Sequence, residues 1–428
     1  MVDVIKITLW GQELGALSWD ATNKYASFEF FPEFLKNNWD VSPIHMPIST
    51  SQKRIYSFPR LQEDTYKGLP GMLSDVLPDD FGNRLIDQWL LLNHIPKAQF
   101  TPLDRLCYIG TRGMGALEFQ PAKNTITKAS KIEIDKLVVL AQQVLNSREK
   151  IDLNMADTEH LNELIKVGTS AGGQRAKAII AYNPKTNEIK SGQTNIPDGF
   201  EHYLFKFDGV NDMSLGDPKG YGRIEFAYYL MAVDCGIIMQ PSQLFEENGR
   251  AHFMTKRFDR LPNNEKLHMQ TLCSIAHFDY KFPGVYSYEN AFGIMRQLRL
   301  PHSDAVQQYK RMLFNVIARN QDDHTKNISF LMNNKGIWKL APAYDVTYSY
   351  NPTGIWTSLH QMSVNGKRDE FTMKDLLEAG EKISYKNSRI AIEEIMQVIA
   401  NWNIYADKAG IPKKQAHQLQ KAFRMHLS

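Results

Sequence analysis

Between residues 303 and 345 the chain carries a pattern that leaves little freedom in how it folds. An apolar stripe at helical spacing, Ala305, Tyr309, Met312, Leu313 and Val316, runs over residues 303–320. It delivers a polar run, Asp322-Asp323-His324-Thr325-Lys326-Asn327. Residues 328–332 then read as a short strand, Asn333-Asn334-Lys335-Gly336 as a turn, and residues 337–340 as the returning strand. A hairpin of that length brings Ala341-Pro342-Ala343-Tyr344-Asp345 back beside Asn327. Two oxygen ligands, from Asn327 and Asp345, are thus expected at one end of one hairpin, an arrangement that suits a hard cation such as Mg²⁺.

Asp322 and Asn327 stand five positions apart, the D-x-x-x-x-N spacing of a protein-kinase catalytic loop. In that chemistry the Asp accepts the proton of the attacking hydroxyl and the Asn holds a magnesium ion. Asp, Asn and His are also common turn residues, so the loop takes its meaning from the rest of the chain. Upstream, Gly168-Thr169-Ser170-Ala171-Gly172-Gly173-Gln174-Arg175-Ala176 is rich in small residues that let backbone N–H groups approach an anion. It is no Walker loop, because Gln174 stands where the Lys belongs, and a flexible turn is the alternative reading. Glu201 to Phe207 reads as a strand with Lys206 among aromatic neighbours. A nucleotide phosphate and a carboxylate would satisfy that Lys if it is buried, and a solvent-facing Lys is the plainer alternative. The helix expected over residues 221–235 offers Glu225 as the carboxylate. Residues 251–260 read as a strand running into a connector. The order is loop, strand Lys, helix Glu, connector, helices, D-x-x-x-x-N, hairpin and Asp, the order in which phosphoryl transfer uses such parts.

Composition narrows the rest. With 428 residues, 43% hydrophobic and 23% charged, the chain can bury a large core in two or three domains. A net charge of +3 gives no bulk electrostatic case for nucleic acid. The three cysteines, Cys107, Cys235 and Cys273, are far apart and form no C-x-x-C pair, which fits a reducing cytoplasm. No secretory leader or apolar run of membrane-spanning length is visible. The first 60 residues look β-rich, with a hairpin turn expected over Gly11-Gln12-Glu13-Leu14-Gly15. Helices are expected over residues 81–92, 132–147, 155–165, 288–298, 373–379, 388–402 and 413–426. Three glycines in six residues, Gly110, Gly113 and Gly115, point to tight backbone packing.

Several of these runs together resemble the HipA family, the kinase toxins of HipA–HipB toxin–antitoxin systems. They are Leu69-Pro70 with Leu77-Pro78-Asp79, Arg112-Gly113-Met114-Gly115-Ala116-Leu117, and Ser170-Ala171-Gly172-Gly173-Gln174. Lys256-Arg257-Phe258-Asp259-Arg260, the 322–327 loop and Pro342-Ala343-Tyr344-Asp345 complete the set. The resemblance implies an α+β fold: a β-rich N-terminal subdomain (1–125) attached to a two-lobed protein-kinase-like core. That core would comprise a nucleotide-binding N-lobe-like region (126–258) and a mainly helical C-terminal lobe with the catalytic loop and metal site (259–428).

It also implies serine/threonine protein phosphorylation that depends on ATP and Mg²⁺. By position, Asp322 is then the catalytic base, and Asn327 and Asp345 are metal ligands. ATP would be bound by Ala171, Gly172, Gly173, Gln174, Arg175, Ala176 and Lys206, by a hinge of Lys256, Arg257 and Phe258, and by His324, Thr325, Lys326, Asn327, Tyr344 and Asp345. Glu225 would pair structurally with the strand Lys. Autophosphorylation at Thr169 or Ser170 would place negative charge beside the ATP phosphates and favour an open, inactive loop. Implied partners are a dimeric helix-turn-helix antitoxin of the HipB type, operator DNA through that complex, and a protein substrate. The family prototype acts on glutamyl-tRNA synthetase. A small-molecule phosphotransferase and a transcriptional co-repressor with a vestigial ATP site are the alternatives.

Overall fold

β1 (Val4–Leu9) and β2 (Gln12–Asp20) pair antiparallel through a two-residue turn at Trp10-Gly11. Both turn residues have positive φ, 49° and 76°, which matches the twist of the flanking strands. The turn is therefore earlier and tighter than the one expected over residues 11–15, and Gly15 lies inside β2. Its role is close approach: a Cβ there would collide with Glu29 O and the Phe28 ring on β3 (Tyr25–Phe30). Gly11 faces open space. Gly15→Ala is expected to cost about 1–3 kcal/mol through overpacking, and Gly11→Ala roughly 1 kcal/mol or less through backbone strain alone. Thermal melts of the two variants would contradict this if Gly15→Ala proved the milder change.

The computed structural model describes residues 2–37, 39–48, 55–122, 132–146, 163–165, 167–168, 175–192, 195–210 and 220–427. The chain divides into two compact units. One comprises Met1–Val41, Pro47–Gly222 and Pro241–Met269, and the other Ser42–Met46, Arg223–Gln240 and Gln270–Ser428.

The first unit holds two five-stranded antiparallel sheets. In one the order is β4-β3-β2-β1-β5, with β4 at Ile55–Ser57 and β5 at Leu117–Gln120. Alternation along its strands puts Ile5, Ile7, Leu9, Leu17, Phe28 and Phe30 in a core. The other has the order β7-β6-β8-β10-β9. These are β6 (Lys177–Asn183), β7 (Glu188–Ser191), β8 (Glu201–Lys206), β9 (Ser242–Glu247) and β10 (Arg250–Lys256).

The helix Asp80–Leu92 starts at Asp79, whose carboxylate accepts from Gly82 N at 2.6 Å. It buries Phe81, Leu85, Ile86 and Leu90 in one cluster with Leu137 and Ala141 of helix Ile134–Asn146 and with Ala178 and Ile180 of β6. The glycine-rich run packs as expected. Gly115 N donates to Asp259 at 2.7 Å, while Arg260 donates to the carbonyls of Gly113 and Gly115 at 2.8 and 2.9 Å.

The second unit is mainly helical, with helices Tyr288–Gln297, His302–Ile317, Met373–Glu381, Ser388–Ala400, Trp402–Lys408 and Lys413–Gln420. Helix His302–Ile317 buries Tyr309, Met312, Leu313 and Val316, as its spacing predicts, and leaves Ala305 half-buried. The hairpin forms with β11 (Ser329–Met332) against β12 (Trp338–Leu340) and Met332 opposite Trp338, so its connection takes in Ile337 and is one residue longer than the expected turn over 333–336. The last helix is shorter than the 413–426 expectation because tertiary bonding overrides the local pattern. Arg424 N donates to Ile317 O, and the Arg424 side chain turns inward. Most of the helix expected over 155–165 lies outside the described residues. Among those described, no helix is long and apolar enough to cross a membrane.

Candidate functional site

After helix His302–Ile317 the chain reaches the loop 322–327, whose last three residues form a single 3-10 turn. Asn327 Nδ2 donates to the backbone carbonyl of Asp322 at 2.7 Å. Spending the amide N–H there turns the side-chain oxygen of Asn327 to other partners, as a cation ligand requires. The Asp322 side chain is 42% exposed, so a solvent-borne hydroxyl can reach its carboxylate. Its Oδ1 accepts from the indole of Trp356 at 2.7 Å, with His324 Nε2 at 3.8 Å. Burial of the carboxyl raises the Asp322 pKa, His324 and the indole pull it back, and the charges of Asp345 and Asp323 add to the rise. Such a shift moves an acid toward the pH at which it can take up a proton.

The neighbouring Asp323 has a different task. It is buried and accepts from Tyr288 Oη, His360 Nδ1 and the Gln361 backbone, each at 2.8 Å. Burial works against its charge, but His360 and these donors outweigh it and hold the carboxyl below its ordinary range. His360 Nε2 in turn lies 2.9 Å from the Arg424 guanidinium, which ties the imidazole to the last residues of the second unit. Asp323 therefore anchors the loop while Asp322 keeps an accessible carboxylate.

Asp345 follows the hairpin and sits at φ 51°, the left-handed region that a non-glycine residue seldom occupies. Asn327, His324, Tyr344 and Asp345 line one cavity. Tyr344 ties the hairpin back to the loop by bonding Lys326 O and the Ser329 hydroxyl. Thr325 is committed to Phe278 O at 2.6 Å, and the Lys326 ammonium lies 5.0 Å from the Tyr280 ring centre. The donor set of one amide oxygen and one carboxylate fits a hard cation that completes its shell with phosphate and water oxygens. Among the described residues no cluster of three His, Cys, Asp or Glu side chains could cage a metal alone.

In the first unit, Lys206 ends β8 half-buried, with its ammonium 5.8 Å from the Phe253 ring centre. It stands opposite Lys177 on β6 and Phe253 on β10. Lys177 is almost fully buried and lies 3.3 Å from the Asp79 carboxylate. Burial pushes Asp79 up to about 6 in spite of Lys177. Arg175 stacks on Tyr221, 3.5 Å from the ring centre, and Ala176 is buried. Thr169, Ser170, Ala171, Gly172, Gly173 and Gln174 lie outside the described residues.

The expected hinge is built from committed side chains. Lys256 pairs with Glu201 at 2.6 Å, and Arg257 is buried against Asp259 at 2.7 Å. The backbone N–H groups of Lys256 and Arg257 bond Pro241 O and His202 O. A purine edge would have to be read by the remaining backbone groups of residues 256–258. Phe258 is half-buried. In the second unit Glu225 is buried on helix Tyr221–Asp234.

A family model of the HipA-like C-terminal domain matches residues 169–417, more than half of the chain, and a model of the HipA N-terminal domain matches residues 5–120. The chain belongs to the HipA family. A solved structure of HipA from the Shewanella oneidensis MR-1 toxin–antitoxin system, in complex with HipB and its operator DNA, matches with a TM-score of 0.68. It shares 16% identity, over 97% of this chain and 94% of that one, a likeness of fold. The Sinorhizobium fredii (strain NBRC 101917 / NGR234) protein named "Putative kinase Y4mE" is 26% identical over 125 residues, which is 27% of this chain and 30% of that protein. The match thus spans less than a third of that relative's length.

Two features of this HipA chain are absent from its sequence pattern. The Asp79–Lys177 pair joins residues almost a hundred positions apart. Trp356 reaches Asp322 from a turn-rich segment with no periodicity. The only local cue at Lys177 is a cation opening an otherwise apolar strand, which calls for a partner without naming one.

Proposed function

We propose that this HipA-family chain is a protein kinase that transfers the γ-phosphoryl group of ATP to a serine or threonine hydroxyl with Mg²⁺ as cofactor. The observation that carries the reading is the loop geometry. Asp322 presents an accessible carboxylate, and Asn327 spends its amide N–H on the Asp322 carbonyl. Asp345 lines the same cavity as Asn327. Asp322 is the base: it takes the proton of the acceptor hydroxyl as that oxygen bonds to the γ-phosphorus and the bond to the β–γ bridging oxygen breaks, releasing ADP. Asn327 and Asp345 hold the cation. Bound Mg²⁺ neutralises charge on the phosphates. Lys206 contacts those phosphates with Glu225 as its carboxylate, and residues 171–176 line the nucleotide loop.

In the same reading, phosphorylation of Thr169 or Ser170 by the chain itself opens that loop and switches it off. A HipB-like helix-turn-helix antitoxin dimer neutralises the toxin and couples it to operator DNA in the cytoplasm. The family prototype's target makes glutamyl-tRNA synthetase the first protein substrate to try.

Labelled ATP with and without Mg²⁺, followed by mass mapping of residues 160–180, tests this. Label on Thr169 or Ser170 that disappears when Mg²⁺ is chelated is the expected result. Transfer to metabolites alone would favour a small-molecule phosphotransferase. No transfer at all, from protein first shown to be unphosphorylated, would leave an antitoxin-dependent co-repressor.

A further inference from the structure

The segment after the hairpin presents its side chains unevenly. Ile355 is fully exposed, whereas the adjacent Trp356 is turned inward so that its indole N–H meets Asp322 Oδ1 at 2.7 Å. The indole is held by the loop it touches. The Trp356 carbonyl accepts from the Gln361 side chain, and the Thr357 carbonyl accepts from Gln321 Nε2 at 3.2 Å. Gln361 N in turn donates to Asp323 at 2.8 Å, closing a ring of bonds around residues 321–323.

We propose that Trp356 is a positioning residue for the phosphoacceptor site, fixing the Asp322 carboxylate in the rotamer that meets the incoming hydroxyl. The inference rests on the kinase reading above. Indole nitrogen is a donor only, so it holds an acceptor without competing for the proton that Asp322 must take. A carboxylate has roughly four lone-pair sites, and one indole N–H fills one of them. Trp356 takes Oδ1, which leaves Oδ2 for the incoming hydroxyl while the indole is in place. Geometry of this kind matters because misplacing a catalytic group by about 1 Å can cost on the order of 100-fold in rate.

Trp356→Phe keeps the ring and removes the donor. Its turnover in labelled phosphoryl transfer is expected to fall roughly 10- to 100-fold, with the KM for ATP unchanged. A second readout needs no activity. With ¹⁵N-labelled tryptophan, the indole resonance missing in Trp356→Phe is expected to shift in Asp322→Asn, since the other six of the seven tryptophans lack this partner. A variant matching wild-type turnover would overturn the inference and leave the kinase reading intact, as would an indole resonance indifferent to Asp322→Asn. Faster transfer by Trp356→Phe would also overturn it, showing that the indole blocks the base. Absence of transfer by the wild type would remove the kinase reading and with it the role assigned to Trp356, whatever the resonance does.

Discussion

Asp322→Asn is expected to lower phosphoryl transfer by roughly 10²–10⁴-fold while leaving the fold in place, the usual range for loss of a positioned general base. The substitution keeps the size of the side chain but replaces the charged acceptor of the Trp356 indole by a weaker, neutral amide, and an amide cannot take up the acceptor's proton. The change removes a charge whose burial is unfavourable and strands no ionic partner, so the melting temperature should stay close to wild type. Asp323→Asn supplies the contrast. That carboxylate is buried under three donors, so its loss should appear first in the melt. Labelled-ATP transfer and thermal melts on the same preparations separate the two. An Asp322→Asn protein that transfers at the wild-type rate would show that the base lies elsewhere.

How far the site was legible in the sequence depends on whether each residue acts through local or distant partners. The hairpin was legible because Asn333-Asn334-Lys335-Gly336 is turn chemistry between two apolar runs, and a hairpin fixes where its ends go. Asp322-Asp323 was legible as an acidic pair, and the D-x-x-x-x-N spacing to Asn327 singled out Asp322. The division of labour became visible only through Tyr288, His360 and Gln361, which reach Asp323 from distant segments. Gly11 and Gly15 show the same limit at the scale of a turn. Both are punctuation in one dimension, but positive φ places Gly11 in the turn, and the nearness of β3 explains Gly15. The connector 256–260 carried two meanings at once. Its backbone reads as a hinge in the sequence, and its side chains build a buried ion cluster that no spacing rule announces.

That cluster sets the second large expectation: Asp259→Ala should destabilise the first unit by about 3–5 kcal/mol, the range for removing one partner of a buried ion pair. Asp259 is fully buried and bonds Arg257 and Arg260, each at 2.7 Å, as well as Gly115 N. Without it, two guanidinium groups stay buried beside each other with their compensating carboxylate gone. Burial alone would raise the Asp259 pKa, and the two arginines overcome that and hold it far below the carboxylate range. An acid depressed in the folded state stabilises the fold above its unfolded pKa, about 3.9, and loses that contribution as the pH falls through the folded value. Wild-type stability should therefore decline below about pH 4, and part of that slope should be missing in Asp259→Ala. Denaturant melts at pH 7 and at pH 3 to 4 measure both effects. Equal stability at pH 7 would mean that the arginines find water or another acceptor. The cluster would then be an accessory to the packing of Gly113 and Gly115 rather than its cause.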